Sequence, residues 1–118
     1  MTMSIKEVSE KLDIAIHTIR YYDKMGLFPF IERDSNGYRC FTEDDLFWVE
    51  LITCMRSVGM PIKTLQYIVD LHMEGPETLP KRKEIFLNQK KKLLADKEKI
   101  VQAIHKVEEK MIKLDSLN

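Results

Sequence analysis

The stretch Ile16-His17-Thr18-Ile19-Arg20-Tyr21-Tyr22-Asp23-Lys24-Met25-Gly26-Leu27 decides how the rest of the chain is read. On a helix, Ile16, Ile19 and Tyr22 recur three apart and can rest on a small core. Thr18, Arg20, Tyr21 and Lys24 are then left largely outward. Such side chains donate to phosphate oxygens, and a helix lying in the major groove of DNA needs donors along one side. Twelve residues of this kind describe a solvated surface helix equally well, so the neighbouring elements must decide.

On the N-terminal side, Ser4-Ile5-Lys6-Glu7 carries a capping-box pattern, and Ile5, Val8 and Leu12 share one helical face. Asp13-Ile14-Ala15 is a short break before the second helix, so the pair forms a helix-turn-helix. Gly26 ends the second helix. From Phe28 to Phe41 the texture changes: Pro29, alternating Phe28 and Phe30, the turn Asp34-Ser35-Asn36-Gly37, and Tyr38-Arg39-Cys40-Phe41 as a return strand. This predicts a β-hairpin, or wing.

Thr42 followed by Glu43-Asp44-Asp45 caps a third helix, with Phe47, Leu51, Cys54 and Val58 on one side and Trp48, Ile52 and Met55 on another. So wide an apolar surface predicts a central core helix. Gly59 stops it, and Pro61 opens a fourth helix to about Met73, with Ile62, Leu65, Ile68, Val69 and Leu71 inward. Gly75-Pro76 closes the globular part.

Beyond it, Leu79, Phe86, Leu93, Ile100, Val107 and Leu114 recur every seventh residue, with Ile104 and Met111 four positions after Ile100 and Val107. Lys90 and Lys97 hold the same partner positions in the first half, while Leu87, Leu94 and Val101 broaden the stripe. A helix from about Pro80 to Leu117 would be roughly 55 Å long at ~1.5 Å per residue. It cannot bury its own stripe, so homodimerisation through a coiled coil is expected. The expected fold is mainly α: a winged helix-turn-helix DNA-binding domain (residues 1–75) and a long C-terminal dimerisation helix (residues 76–118).

Composition bounds these readings without choosing among them. The 118 residues are 44% hydrophobic and 32% charged, as in a folded chain rich in helix surface. The longest aliphatic and aromatic run is Leu46-Phe47-Trp48-Val49, and no basic stretch precedes an apolar N-terminal segment. Neither a transmembrane helix nor a signal peptide is expected, and the cytoplasm is the default compartment. Cys40 and Cys54 are too few for a disulfide framework or a cysteine zinc site. His17, His72 and His105 are scattered without an acid/base or nucleophile constellation, so no enzyme is expected.

Charge is awkward for a DNA binder. Lys plus Arg equals Asp plus Glu at 19 each. Residues 1–75 hold eight basic against twelve acidic side chains, and residues 76–118 eleven against seven. Binding to DNA would therefore depend on local placement, with Glu43, Asp44, Asp45 and Glu50 turned from the phosphates. A coiled-coil interaction module with little or no DNA affinity is the alternative.

The order of elements, together with Thr18-Ile19-Arg20-Tyr21-Tyr22, Gly26-Leu27, Gly37-Tyr38-Arg39 and Asp44-Asp45-Leu46, resembles the MerR family of bacterial transcription regulators. The resemblance covers the whole chain. It implies two protomers on double-stranded promoter DNA, recognition helices in successive major grooves, wings along the backbone, and an operator bent and untwisted so that RNA polymerase is served indirectly. Residue by residue it implies DNA contacts from His17, Thr18, Arg20, Tyr21 and Tyr22, from Arg33, Gly37, Tyr38 and Arg39 in the wing, and from Lys63 at the start of the fourth helix. Ala15 stands where the family often has a capping serine, Asp13 where it usually has glycine, and His17 where arginine is frequent.

Family members commonly carry an effector domain after the long helix, and none is expected before Asn118. Metal-sensing members place cysteines where this chain has residues such as Leu79, so neither metal nor cofactor is expected. Ile52-Thr53-Cys54-Met55-Arg56-Ser57-Val58-Gly59-Met60, with Thr78-Leu79-Pro80-Lys81-Arg82, resembles a subgroup in which a single third-helix cysteine responds to aldehydes or other electrophiles. That makes Cys54 a candidate sensor. Its apolar neighbours also fit a small core residue, and Cys40 reads as an ordinary wing residue.

Overall fold

The computed structural model describes residues 1–117 and divides the chain into two compact units, Met1–Arg82 and the chain from Lys83 onward. The first unit opens with α1 (Ile5–Leu12). Ser4 Oγ accepts from the Glu7 amide at 3.2 Å, and the Glu7 carboxylate accepts from the Ser4 amide at 3.1 Å, the reciprocal pair expected of a capping box. The helix ends at Asp13, whose φ of 54° lies in the left-handed region that costs an L-residue and suits glycine.

Helix α2 (Ile16–Lys24) starts at Ala15 without a side-chain cap. It ends in a Schellman motif: Gly26, at φ 77°, donates to Asp23 O, and Leu27 donates to Tyr22 O. Leu27 is fully buried, as the hydrophobic contact of that motif requires.

The expected hairpin is shorter than a strand pair. Among the described residues there are only isolated antiparallel bridges, Arg33 to Arg39 and Met3 to Phe41. The turn forms where expected, with the Gly37 amide on Asp34 O and the Asp34 carboxylate accepting from the Asn36 and Tyr38 amides. The ladder stops because Phe41, the residue that would extend it, pairs instead with Met3 ahead of α1. The wing is thus anchored to the N-terminal segment, and Phe28, Ile31 and Phe41 fill the space beneath it.

Helix α3 (Glu43–Ser57) has its own capping box, Thr42 with Asp45. It buries Leu46, Val49 and Ile52, while Phe47 is 63% exposed and Cys54 is also exposed. The side carrying Phe47, Leu51, Cys54 and Val58 is therefore not the core side, and Cys54 is not a core residue. Helix α4 (Ile62–Glu74) follows Pro61 and buries Leu65, Ile68, Val69 and Leu71, with Ile62 half-buried. Trp48 and His72 stack with ring centroids 4.6 Å apart, and Phe30 joins them.

After a 3-10 turn, α5 (Leu79–Leu117) runs for 39 residues, and the division between units falls within it. None of its described residues is buried. Ile100, Ile104, Val107, Met111 and Leu114 are all at least half exposed.

Candidate nucleic-acid interface

On α2 the exposed residues are His17, Arg20, Tyr21 and Lys24. Their spacing of three, four and seven places them on one face, opposite the buried Ile19 and Tyr22. Three nitrogen-bearing side chains and a phenol thus form a stripe of hydrogen-bonding groups. Thr18 is half-buried at its edge, in the first turn.

The wing lies against this helix through a charge cluster. Asp23, in the last turn of α2, accepts from Arg39 NH2 at 2.8 Å and from Arg39 Nε at 3.2 Å. Arg39 also donates to Ile31 O and is only 17% exposed. Arg33 reaches the same carboxylate at 3.7 Å, donates to Gly37 O at 2.6 Å and keeps about half of its side chain exposed. Tyr38 is 70% exposed with Gly37 at the turn beside it. A cleft of about 430 Å³ lies between these parts, lined by Ser4, Lys6, Arg20, Asp23, Arg33 and Tyr38 among others.

The candidate residues accordingly divide. His17, Arg20, Tyr21, Arg33, Tyr38 and Lys63 present side chains to solvent, whereas Tyr22 is core and Arg39 is held in the ion pair. Gly37 contributes backbone, at φ 84°. Two residues were missed by sequence reasoning. Asp23 had one available signal: an acidic side chain at a helix C-terminus opposes the dipole and calls for a compensating cation. Gln66 donates to Met25 O across 41 residues of sequence and had no local signal.

Two of the acidic residues of α3 are engaged in structural pairs. Asp45 is spent in its cap, and Lys11 meets Glu43 at 3.4 Å. His72 has its pKa lowered, first by burial among the aromatic rings and then by Arg82.

A short helix carrying polar donors on one face, set in a helix-turn-helix and flanked by a wing, defines a winged helix-turn-helix protein of the DNA-binding class. Residues 3–71 match the model of the MerR HTH family of regulatory proteins, and the chain belongs to that family as a transcription regulator. An uncharacterized HTH-type transcriptional regulator of Haemophilus influenzae is 37% identical over 91 residues, 77% of this chain and 67% of that protein. The HTH-type transcriptional regulator AdhR of Bacillus subtilis is 35% identical over 92 residues, 78% of this chain and 66% of that protein. This chain thus spans about two thirds of those relatives. The crystal structure of HiNmlR, a MerR family regulator lacking the sensor domain and bound to promoter DNA, superposes with a TM-score of 0.82 at 32% identity, covering 94% of this chain and 88% of that one. A MerR family regulator from Bacillus thuringiensis gives 0.82 at 34%, covering 96% and 99%.

Proposed function

We propose that the protein acts as a homodimer that grips promoter DNA with two copies of α2, bends and untwists it, and so affects RNA polymerase through the promoter. The observation that carries this reading is the stripe His17, Arg20, Tyr21 and Lys24, exposed on one face of α2 beside the exposed Arg33 and Tyr38 of the wing. Placed in a major groove, that stripe supplies base and phosphate donors together, with Lys63 and the wing adding backbone contacts. Distorting DNA costs several kcal/mol, on the order of 1–6 for a smooth bend, and phosphate contacts offset it. Support for dimerisation comes from the heptads of α5, whose apolar side chains at Ile100, Ile104, Val107, Met111 and Leu114 are at least half exposed in the single chain. The likeness to a regulator bound to promoter DNA supports the DNA contact.

Within this reading Cys54 is the electrophile sensor. Its thiol lies exposed on the α3 face that also carries Phe47, so a soft electrophile can reach it. Footprinting on the DNA upstream of its own gene, with and without an aldehyde, tests both parts. Protection of a palindromic site is expected, with an aldehyde response that Cys54→Ser removes while leaving the footprint. An absent footprint at low salt favours the coiled-coil module instead, and an unchanged response in Cys54→Ser ends the sensing role.

A further inference from the structure

The Asp23 carboxylate has no local reason to be where it is. It sits in the last turn of α2, where the helix dipole disfavours it, and among the described residues its ion pairs are made with the wing rather than with its own helix. Its partners come from the wing, Arg39 through three contacts of 2.8 to 3.2 Å and Arg33 at 3.7 Å. We infer that Asp23 is the positioning residue that sets the wing on the recognition helix and divides the labour of two arginines, an inference that rests on the DNA-binding reading above.

Arg39 is the strut. Its guanidinium engages the carboxylate through Nε and NH2 while its remaining nitrogen donates to Ile31 O, so one planar group ties the helix, the start of the wing and its return together. Arg33 is the more exposed member, and its guanidinium is also held by Gly37 O at 2.6 Å. It touches the same carboxylate at the outer limit of an ion pair, is half exposed, and lines the cleft with Arg20 and Lys6. A phosphodiester entering that cleft brings a negative charge not already paired, whereas the Asp23 carboxylate is shared with Arg39. Arg33 thus turns to the backbone while Asp23 and Arg39 hold the wing in place, which fixes the spacing between the wing contact and the α2 stripe.

The test uses the full chain and DNA from upstream of its own gene, measuring specific and non-specific affinity, salt slope and thermal stability. Asp23→Asn is expected to weaken specific binding about tenfold or more, the scale of a charge-assisted hydrogen-bonded pair. Non-specific binding, which depends on charge alone, stays within about threefold of wild type. Asp23→Glu recovers most of the loss. The double variant Asp23→Asn with Arg39→Gln is no worse than the weaker single variant, since both remove one strut. Should Asp23→Asn fail to fold, Arg39→Lys, which keeps the charge and loses the fork, is measured the same way. Unchanged specific binding in the folded variant, an equal fall in both affinities, or losses that multiply in the double variant would overturn the inference while leaving a wild-type operator complex intact. A wild type without specific binding removes the DNA-binding reading and this inference with it.

Discussion

Helices α2 and α5 are both two-faced, and they leave opposite faces open. In nine residues α2 buries Ile19 and Tyr22 within its own unit and leaves outward a stripe of polar donors. Among the described residues of the 39-residue α5 none is fully buried; Phe86 and Leu93 are half-buried, and the heptad side chains from Ile100 onward are at least half exposed. A helix whose apolar face is already satisfied seeks a polar partner; one whose apolar face is bare seeks an apolar one. On the proposed reading, the contrast separates what one chain does alone from what a second copy would add.

The largest effect should come from α5. Ile100→Lys with Val107→Lys puts charges into the seam and should abolish the dimer in sedimentation. It should also weaken operator binding by two orders of magnitude or more, because linked sites gain about 10²–10⁴ in avidity. If the monomer binds as well as the dimer, the coupling is absent. Next comes Arg20→Ala on the α2 stripe, which should cost about 1–3 kcal/mol at the operator in a mobility-shift titration, without altering the oligomer. An effect confined to non-specific DNA would make Arg20 a plain phosphate contact.

A smaller change addresses the start of α2. Ala15 has extended backbone angles but no side-chain cap, so Ala15→Ser should stabilise the first unit by about 1 kcal/mol, read as a raised Tm in calorimetry. Smallest is the pH effect of His72. Its folded pKa lies below the ordinary 6.5, so the unfolded chain binds the proton more readily. The contribution is whole above 6.5 and is lost as pH falls from there through the folded value. Wild type should therefore lose more Tm than His72→Gln between pH 7.5 and 5.5; equal losses would remove His72 as the cause.

Much of this was legible because it is local. Ser4 with Glu7, Thr42 ahead of its acidic turn, Gly26 after α2 and the heptads of α5 each carry their signal within a few residues. So did the inward residues of α4. What was hidden depends on contacts distant in sequence. Asp23 meets Arg39 sixteen residues away, and Phe41 leaves the hairpin for Met3. Neither choice has a local cue. Helix α3 failed differently: with apolar residues on more than one side, its sequence does not say which side meets the core, and packing chose Leu46, Val49 and Ile52 over Phe47 and Cys54. The acidic balance of residues 1–75 was informative only after Asp23 and Asp45 proved to be engaged in structural pairs.

The central claim, that the α2 stripe reads DNA when a second copy is fixed beside it, is tested most directly by titrating the operator fragment with wild type across a range of salt while the mass of the complex is measured. A two-chain complex whose log affinity falls steeply with log salt, by about 0.9 per phosphate neutralised, is the predicted result. A complex of one chain, or an affinity indifferent to salt, would contradict it.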